Sequence, residues 1–508
     1  MSMPAMDLTS APALDRLLAG IAAAPPVPIT GLASDSRAVG RGYAFLACRG
    51  ASRHGVEFAD AAVAAGAAAV VWDSATAPAT PDVRVPTVAV PGLERLLGEL
   101  ANRWFDTPSA RIRVSGVTGT NGKTTVAWLV AQCLRRLDRA CGYIGTLGAG
   151  LEPPFAEGAL TTPACIELHG ALAALADGGG THAAIEVSSH AIGQNRIDGV
   201  HFDSVLFTNL SRDHIDYHGD MHAYGEVKAR LFLEREVARR IVNVDSAFGQ
   251  ELALRCRARE GRLVTVSTEP RHAFDAGSGA EALTVRPLGP TGFGFAVEIE
   301  GSFGAGSCRL PLAGEFNVAN AALALAQLLC WDVPLPTAVA ALAACEPPPG
   351  RLQRVAGEAG PAVYVDYAHT PAGLEAVLKA LRPHCTGNLW CVFGCGGDRD
   401  RGKRPLMGAT VMRLADRAVV TTDNPRFENP DDIIAEVLAG MDGRAIAVPD
   451  RERAIRWTIG QARDNDLVLI AGKGHENVQL VAGERLPFSD YAAARAALRA
   501  RAAGGAMP

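Results

Sequence analysis

No stretch of this chain is long and apolar enough to cross a bilayer. The longest apolar run, Ala61 to Trp72, is mostly alanine and falls short of the ~20 residues a spanning helix needs. The N-terminus has no basic segment followed by a compact apolar one, so export is not expected. The eleven cysteines are scattered and odd in number, without the paired spacing of a zinc site or a disulfide framework. Cys391 and Cys395 flank a strand end, but no second pair accompanies them, and buried reduced thiols are expected. That usage points to a reducing cytoplasm. Nor is there a basic stripe: 49 Lys and Arg stand against 54 Asp and Glu, a formal net charge of −5. Nucleic acid is therefore not expected as a partner. What remains is a globular composition, 48% hydrophobic and 20% charged over 508 residues, enough for about three or four domains.

Proline-rich stretches divide the chain. Residues 1–108 combine alanine-rich helix with short strands (Val70–Trp72, Val85–Val90) and close at Asp106-Thr-Pro108. Residues 109–346 close before Pro347-Pro-Pro349. Residues 347–508 alternate strand and helix with great regularity, and only the last few read as disordered.

The most informative residues are Thr118-Gly-Thr-Asn-Gly-Lys-Thr-Thr125. The β-branched alternation of Arg111-Ile-Arg-Val114 predicts a strand before them, and Val126–Leu134 has helical apolar spacing. A glycine-rich turn between strand and helix aims N–H groups at an anion, and the helix dipole adds to them. Gly119, Thr120, Asn121, Gly122 and Thr125 form the cradle. Lys123 supplies a charge for the β- and γ-phosphates, and the Thr124 hydroxyl can ligate Mg²⁺. Val117 stands where the common phosphate loop has its leading glycine, and Gly116 and Gly119 are expected to do that work in another register. A nucleoside triphosphate is the expected ligand.

Two more strands end in polar turns: Ala183–Val187 in Ser-Ser-His, and Ser204–Thr208 in Asn-Leu-Ser-Arg-Asp-His. Both ends are expected beside the phosphate loop. Glu186 is a carboxylate in an otherwise apolar strand, costly to bury unless it meets a cation. A Mg²⁺ shared with Thr124 and the phosphates would satisfy it. The run Asp213–Asp220 packs three carboxylates and two histidines, which in isolation reads as a solvated loop and beside a phosphate loop as a metal or phosphate site. Lys228 follows on a predicted helix, Ala223–Val237, where a lysine is ordinarily a surface charge.

In the last third, Ala362–Asp366, Leu389–Phe393, Arg417–Thr421 and Leu467–Ile470 are short and nearly all apolar, as strands of a parallel sheet covered on both faces are. Each runs into a polar turn, and in such a sheet the carboxyl ends share one edge, where ligands bind. From these turns come Arg399, Asp423-Asn424-Pro425-Arg426, Gly472 and Glu476. A guanidinium matches a carboxylate in two parallel hydrogen bonds. Arg399, Arg426 and Glu476 together could hold an amino acid by its opposite charges.

In their order, these motifs resemble the Mur ligases. So do Thr161-Thr-Pro163, Glu186-Val-Ser-Ser-His190, Gly314-Glu-Phe-Asn317, Gly350-Arg351, Asp366-Tyr-Ala-His-Thr-Pro371 and Gly472-Lys-Gly-His-Glu476. The likeness covers nearly the whole chain and is strongest to the members that add meso-diaminopimelate in peptidoglycan synthesis. It implies an α/β protein of three domains: an N-terminal one for the uridine end, a central P-loop ATPase-type parallel or mixed sheet, and a C-terminal Rossmann-like doubly wound sheet. It implies ATP-dependent ligation through an acyl phosphate on the D-glutamyl γ-carboxylate of a UDP-muramoyl dipeptide. It also implies Lys123, His214 and a carbamylated Lys228 as catalytic groups, with Thr124, Glu186, His214 and that carbamate around Mg²⁺. Asn317, Arg351, Asp366 and His369 fall on the nucleotide. Ser34, Ser36, Thr161, Thr162, Ser188, Gln194 and Arg196 fall on the UDP-muramoyl dipeptide. Arg399, Asp423 to Arg426, Gly472 and Glu476 fall on diaminopimelate. Ser34-Asp-Ser-Arg37 fits the uridine segment, whereas Gly50-Ala-Ser-Arg-His-Gly55 departs from the Asp-Gly pairing of the family. A monomer acting on small molecules is expected.

Three other readings compete. An L-lysine-adding ligase would not need Arg426, because lysine has no second carboxylate. A folate-directed polyglutamate ligase would lack Asp-Asn-Pro-Arg. A non-catalytic binder of nucleotide and muropeptide would not keep Lys123, Glu186, His214 and Lys228 together.

Overall fold

The structure, a computed structural model, describes residues 12–50, 53–269, 279–357 and 360–503. Residues 51–52 of the departing uridine segment and the tail from 504 lie outside the described residues. The chain forms two compact units, Met1–Lys123 with Leu137–Val242 and Glu251–Leu263, and Thr124–Arg136 with Asn243–Gln250 and Val264–Pro508.

The first unit begins with a parallel sheet of β1 (Gly31–Ala33), β2 (Tyr43–Ala47), β3 (Ala69–Asp73) and β4 (Thr87–Val90), in that order. The apolar run at 61–72 is split between a helix, Ala59–Ala64, and β3. The sheet packs over Leu14, Leu17, Leu46, Val71 and Leu100. Next come β5 (Arg113–Thr118), β6 (Cys141–Gly145), β7 (Gly148–Gly150), β8 (His182–Glu186), β9 (Ser204–Phe207) and β10 (Arg239–Asn243). They lie in the order β10-β9-β5-β8-β6-β7, parallel except for β7. β5 starts two residues later than the alternation predicts, because Pro108–Arg111 closes a helical turn first. β8 and β9 flank β5, so their ends do stand beside the loop that follows Thr118. Gly116 does not serve that loop. It lies within β5, where a Cβ would meet the Phe202 ring and Val187, so it is glycine for packing.

In the second unit, β11 (Arg262–Ser267), β12 (Ala280–Thr291), β13 (Gly294–Gly301) and β14 (Gly306–Leu310) run in the order β14-β13-β12-β11, with β12 to β14 antiparallel. A second sheet contains β15 (Gln353–Arg354), β16 (Ala362–Asp366), β17 (Leu389–Phe393), β18 (Arg417–Val420), β19 (Ile446–Ala447) and β20 (Leu467–Ala471), ordered β15-β16-β20-β17-β18-β19. From β16 to β19 it is parallel. Its side chains divide by the two-residue period of a strand. Tyr364, Cys391, Phe393, Val420 and Leu469 pack under the helices Pro371–Leu381, Lys403–Leu414 and Pro430–Leu438. Val363, Val392, Val419 and Ile470 pack under Arg451–Gln461 and Asp490–Ala502. Both faces are covered, and the four predicted turns leave one edge. A hairpin of β21 (Val478–Val481) and β22 (Glu484–Pro487) follows β20. Among the described residues no helix is long and apolar enough to cross a membrane, and all eleven cysteines are free thiols. Burial pushes the Cys395 thiol up to about 12.

β8 carries Glu186 at one end and His182, which is 8% exposed, at the other. Burial, then the charges of Arg113 and Arg139, lower the imidazole from 6.5 to about 4. The folded state thus binds fewer protons here than the unfolded chain, and the stability this contributes is full above pH 6.5 and is lost as pH falls through about 4. The loss should approach about 3 kcal/mol for the unit containing it. Urea midpoints of wild type and His182→Gln between pH 7.5 and 4 should diverge in slope; equal slopes would refute this.

Candidate functional site

The turn after β5 is built on two glycines with left-handed φ, Gly119 (+144°) and Gly122 (+86°). A Cβ on Gly119 would collide with Thr208 Oγ1. The turn is laced to the end of β9. The Thr120 N–H donates to the Asn209 carbonyl (2.8 Å), and the Asn121 N–H to Asn209 Oδ1 (3.1 Å). The Thr208 hydroxyl donates to the Asn121 carbonyl (2.6 Å), and the Ser211 N–H to Thr120 Oγ1 (3.0 Å). Thr124 and Thr125 are buried in the first turn of the helix Lys123–Arg136, which extends the predicted helix at both ends.

Two lysines close on this turn. Lys123 Nζ donates to the Gly119 and Thr120 carbonyls, each at 2.8 Å. Lys228, on the helix Met221–Leu233 and 1% exposed, donates to the same Gly119 carbonyl at 3.0 Å. Its ammonium sits 4.4 Å from the centre of the Tyr224 ring. Burial, then the nearby Lys123 charge, push Lys228 well below the ordinary lysine range. A helical lysine that sequence alone would place in solvent is thus inside, paired with another cation. Such an arrangement suits an anion.

Glu186 is 1% exposed and its carboxylate does not wait for a cation. It accepts from the Tyr143 hydroxyl and from the Thr146 N–H (2.9 Å) and hydroxyl (3.2 Å). This corrects the expectation that a metal alone would satisfy it. The Thr161 and Thr146 hydroxyls are 3.2 Å apart, and the Thr162 hydroxyl donates to the Glu186 carbonyl (2.7 Å). The Ser188 N–H donates to Thr162 Oγ1 (3.0 Å). Arg196 donates to the Thr162 carbonyl (3.1 Å) and to Gln194 Oε1 (3.0 Å), and burial lowers its pKa. Five of the residues assigned to the dipeptide therefore form one connected patch. His214, half exposed, has a left-handed φ of +53° and lies 3.5 Å from Asp213. Its ring meets that of His190 at 4.8 Å, and His190 in turn neighbours Tyr217 and His218. Ser34 and Ser36 are half-buried at the end of β1, where Asp35 caps the next turn by accepting from the Arg37 N–H (2.9 Å). A separate cavity of about 520 Å³, lined by Gly98, Asn102, Asp198 and His201 among others, includes none of the assigned residues.

In the second unit Asp366 is buried. Burial raises its pKa, opposed by the Arg351 charge and by N–H groups of Leu352 and Ala368, each at 2.7 Å. Arg351 lies over the Tyr367 ring (4.8 Å), with His369 against its edge (4.9 Å). Arg351, Asp366 and His369 are thus brought together around Tyr367. Asn317 is not, because its amide is spent on the Ala313 carbonyl (2.7 Å) and on Asn320 (2.9 Å).

At the sheet edge, Asp423, Asn424 and Pro425 are buried and Arg426 half-buried at a φ of +53°. Arg426 is held by its neighbour hairpin: its N–H donates to the Leu480 carbonyl (3.0 Å), and its carbonyl accepts from Ala482 (2.6 Å). Its Nη1 donates to the Gly397 carbonyl (2.7 Å). Among the described residues its Nε and Nη2 have no partner. Arg399 is exposed, and a Cβ on Gly396 would meet both Arg426 Nη1 and Arg399 Cγ. Gly472, at φ +120°, leaves room for Asp423 Oδ2. The Glu476 carboxylate accepts from Asn424 Nδ2 (2.8 Å) and Lys473 Nζ (2.9 Å). Residues 398–404 are dense in charge, but Arg404 is wholly buried against Glu428 (2.7 Å) and Glu436 (2.9 Å) and is structural. Sequence reasoning left Tyr143, Asn209, Tyr224, Tyr367 and Lys473 unassigned. All except Tyr143 and Tyr224 stand inside motifs quoted for other residues, and that adjacency was the available signal.

Mg²⁺ is tested by the donor set. A carboxylate (Glu186) and a hydroxyl (Thr124) are hard oxygen ligands. That suits Mg²⁺, which is held by one or two protein oxygens plus substrate phosphates.

The chain matches three family models: Mur ligase family, catalytic domain, over residues 28–105; Mur ligase middle domain, over 117–328; and Mur ligase, glutamate ligase domain, over 350–474. It is 44% identical over 481 residues to the UDP-N-acetylmuramoyl-L-alanyl-D-glutamate--2,6-diaminopimelate ligase of Alkalilimnicola ehrlichii, covering 93% of this chain and 95% of that one. A solved structure of a ligase of that same name superposes with a TM-score of 0.70 at 34% identity, covering 96% and 99% of the two chains. The MurF ligase of Thermotoga maritima, solved with ADP, shares the fold at a TM-score of 0.61 and 17% identity, covering 92% and 98%.

Gly119→Ala places a methyl against Thr208 in a backbone region that costs side chains about 1–3 kcal/mol. ATP binding, measured by titration calorimetry, should weaken roughly ten- to hundredfold with the circular dichroism spectrum unchanged. An unaltered affinity would mean that this backbone does not carry the phosphates.

Proposed function

The chain belongs to the Mur ligase family, and from that membership we propose that it is an ATP-dependent ligase joining meso-2,6-diaminopimelate to the D-glutamyl γ-carboxylate of UDP-N-acetylmuramoyl-L-alanyl-D-glutamate, a step of peptidoglycan synthesis. The observation that carries the reading is the pairing of two devices on one chain. One is a glycine turn on which a buried lysine, Lys228, and a half-buried one, Lys123, converge, and the other is a sheet edge that carries the Arg426 guanidinium and the Glu476 carboxylate.

A carboxylate is a poor electrophile, and phosphorylation by ATP makes it an acyl phosphate. The amine of the incoming amino acid then attacks the acyl carbon, and the tetrahedral intermediate expels phosphate. The protein's task is mostly positioning and charge stabilisation. The Gly119–Thr125 backbone and the helix N-terminus receive the phosphates. Lys123, whose ammonium caps loop carbonyls in this state, exchanges them for phosphate oxygens. By family resemblance Arg351, Asp366 and His369 are the groups assigned to the nucleotide. The patch from Thr161 to Arg196 orients the dipeptide, and Ser34 and Ser36 face the uridine end. Thr124, Glu186, His214 and Lys228 as a carbamate would hold Mg²⁺, which would offset charge on the transferring phosphoryl group. An ammonium cannot serve there. A neutral Lys228 amine can add CO₂, releasing a proton, and the resulting carbamate would also turn its repulsion from Lys123 into attraction. The lowered proton affinity of Lys228 favours that neutral amine. Arg426 takes the distal carboxylate of diaminopimelate, and Glu476 takes an ammonium. We place the reaction in the cytoplasm, where ATP is made, in a monomer with domains at 1–108, 109–346 and 347–508.

Phosphate release from ATP with the UDP-linked dipeptide should depend on meso-diaminopimelate; release indifferent to the amino acid would refute ligation. Arg426→Ala should lower kcat/KM for diaminopimelate by roughly 10³- to 10⁴-fold, and an unchanged value would favour the L-lysine-adding reading. Lys228→Ala should lose most activity and regain part of it with added short-chain carboxylic acids, which stand in for the carbamate. Full activity in that variant would exclude the modification.

A further inference from the structure

Lys473, three residues before Glu476 at this sheet edge, has its charge turned inward. Its side chain is wholly buried, yet its ammonium donates to Asn424 Oδ1 and to Glu476 Oε2, each at 2.9 Å. Asn424 Nδ2 donates to the same Glu476 oxygen at 2.8 Å, closing a triangle of three side chains. Asn424 Oδ1 also accepts from the Leu480 N–H at 3.0 Å. A flipped amide would set its NH₂ against both an ammonium and an N–H, so the orientation is locked. Glu476 Oε2 is thereby engaged twice, and among the described residues Oε1 makes no hydrogen bond. Its side chain is 30% exposed.

Below this triangle Arg451 is fully buried. It is paired with Asp490 (2.7 Å), donates to the carbonyls of Thr422 (3.3 Å) and Ala471 (2.9 Å), and feels the charges of Asp423 and Glu476. Arg451 is thus spent on Asp490, and Lys473 is the cation that pairs with Glu476. A buried ion pair is often replaceable by apolar residues at little cost, so stability alone does not account for this ammonium. We infer that Lys473 is a positioning residue: it holds Glu476 and Asn424 so that Glu476 Oε1 points outward to receive the ammonium of the incoming amino acid. The inference rests on the ligase reading. Lys473 itself touches no substrate, because it lies behind both partners.

Steady-state kinetics with the full chain test it. In Lys473→Met the Michaelis constant for meso-diaminopimelate should rise roughly tenfold or more, while those for ATP and the UDP-linked dipeptide stay within about twofold. Lys473→Met/Glu476→Gln should match Glu476→Gln alone within about threefold, because a residue acting through another is not additive with it. A parallel rise in all three constants marks a merely structural role and overturns the inference, as does an unchanged amino-acid constant or an additive double variant. Should Lys473→Met fail to fold, the comparison of Glu476→Gln with the double variant, which leaves no unpaired buried charge, decides alone. Wild-type protein without amino-acid-dependent phosphate release would fail the ligase reading before any variant is made, and this inference with it.

Discussion

Two ammonium groups, Lys123 and Lys228, meet at a single carbonyl, that of Gly119. Like charges brought together out of water are unfavourable unless an anion or a proton loss relieves them. Both remedies are what a phosphoryl-transfer site requires. A triphosphate supplies the anion, and the lowered proton affinity of Lys228 favours its neutral amine. The rest of the first unit serves this meeting. β5 delivers the turn, β9 laces it through Asn209 and Ser211, and the helix Met221–Leu233 brings Lys228 in from more than a hundred residues away.

The second unit solves a different problem with the same architecture. Parallel strands covered on both faces have only their ends available for chemistry. Here the ends of β16, β17, β18 and β20 carry all the polar groups of consequence. Hydrogen bonds from neighbouring segments brace this edge. Arg426 keeps a left-handed backbone because the hairpin β21–β22 bonds to it on both sides, and Glu476 keeps its orientation because Asn424 and Lys473 hold it. A charged pocket that cannot relax discriminates against ligands that lack the matching charge.

Much of this was legible in sequence because it depends on short-range rules. Four all-apolar strands of the right length, each ending in a polar turn, define a doubly covered sheet and its active edge, and the structure places β16 and β17 at the bounds read from the pattern. The glycine-rich turn was legible because only glycine takes its φ values without strain. Gly116 was misread for the same reason: spacing cannot tell a glycine that turns from a glycine that lets Phe202 approach. Glu186 was misread because its donors, Tyr143 and Thr146, come from another strand and its following turn, some forty residues away.

The sequence by itself determined the order of strand and helix, the positions of the turns and the residue types able to meet phosphate, carboxylate and amine. These follow from local backbone preferences and from the period of apolar residues. Only the tertiary structure decided which charges are buried, and against whom. Lys228 is inside and Arg399 outside, Arg404 is structural, and Lys473 lies under Glu476 rather than beside a ligand. Burial and pairing depend on residues such as Asn424 and Lys473, 49 positions apart, which only the packed chain brings within hydrogen-bond reach.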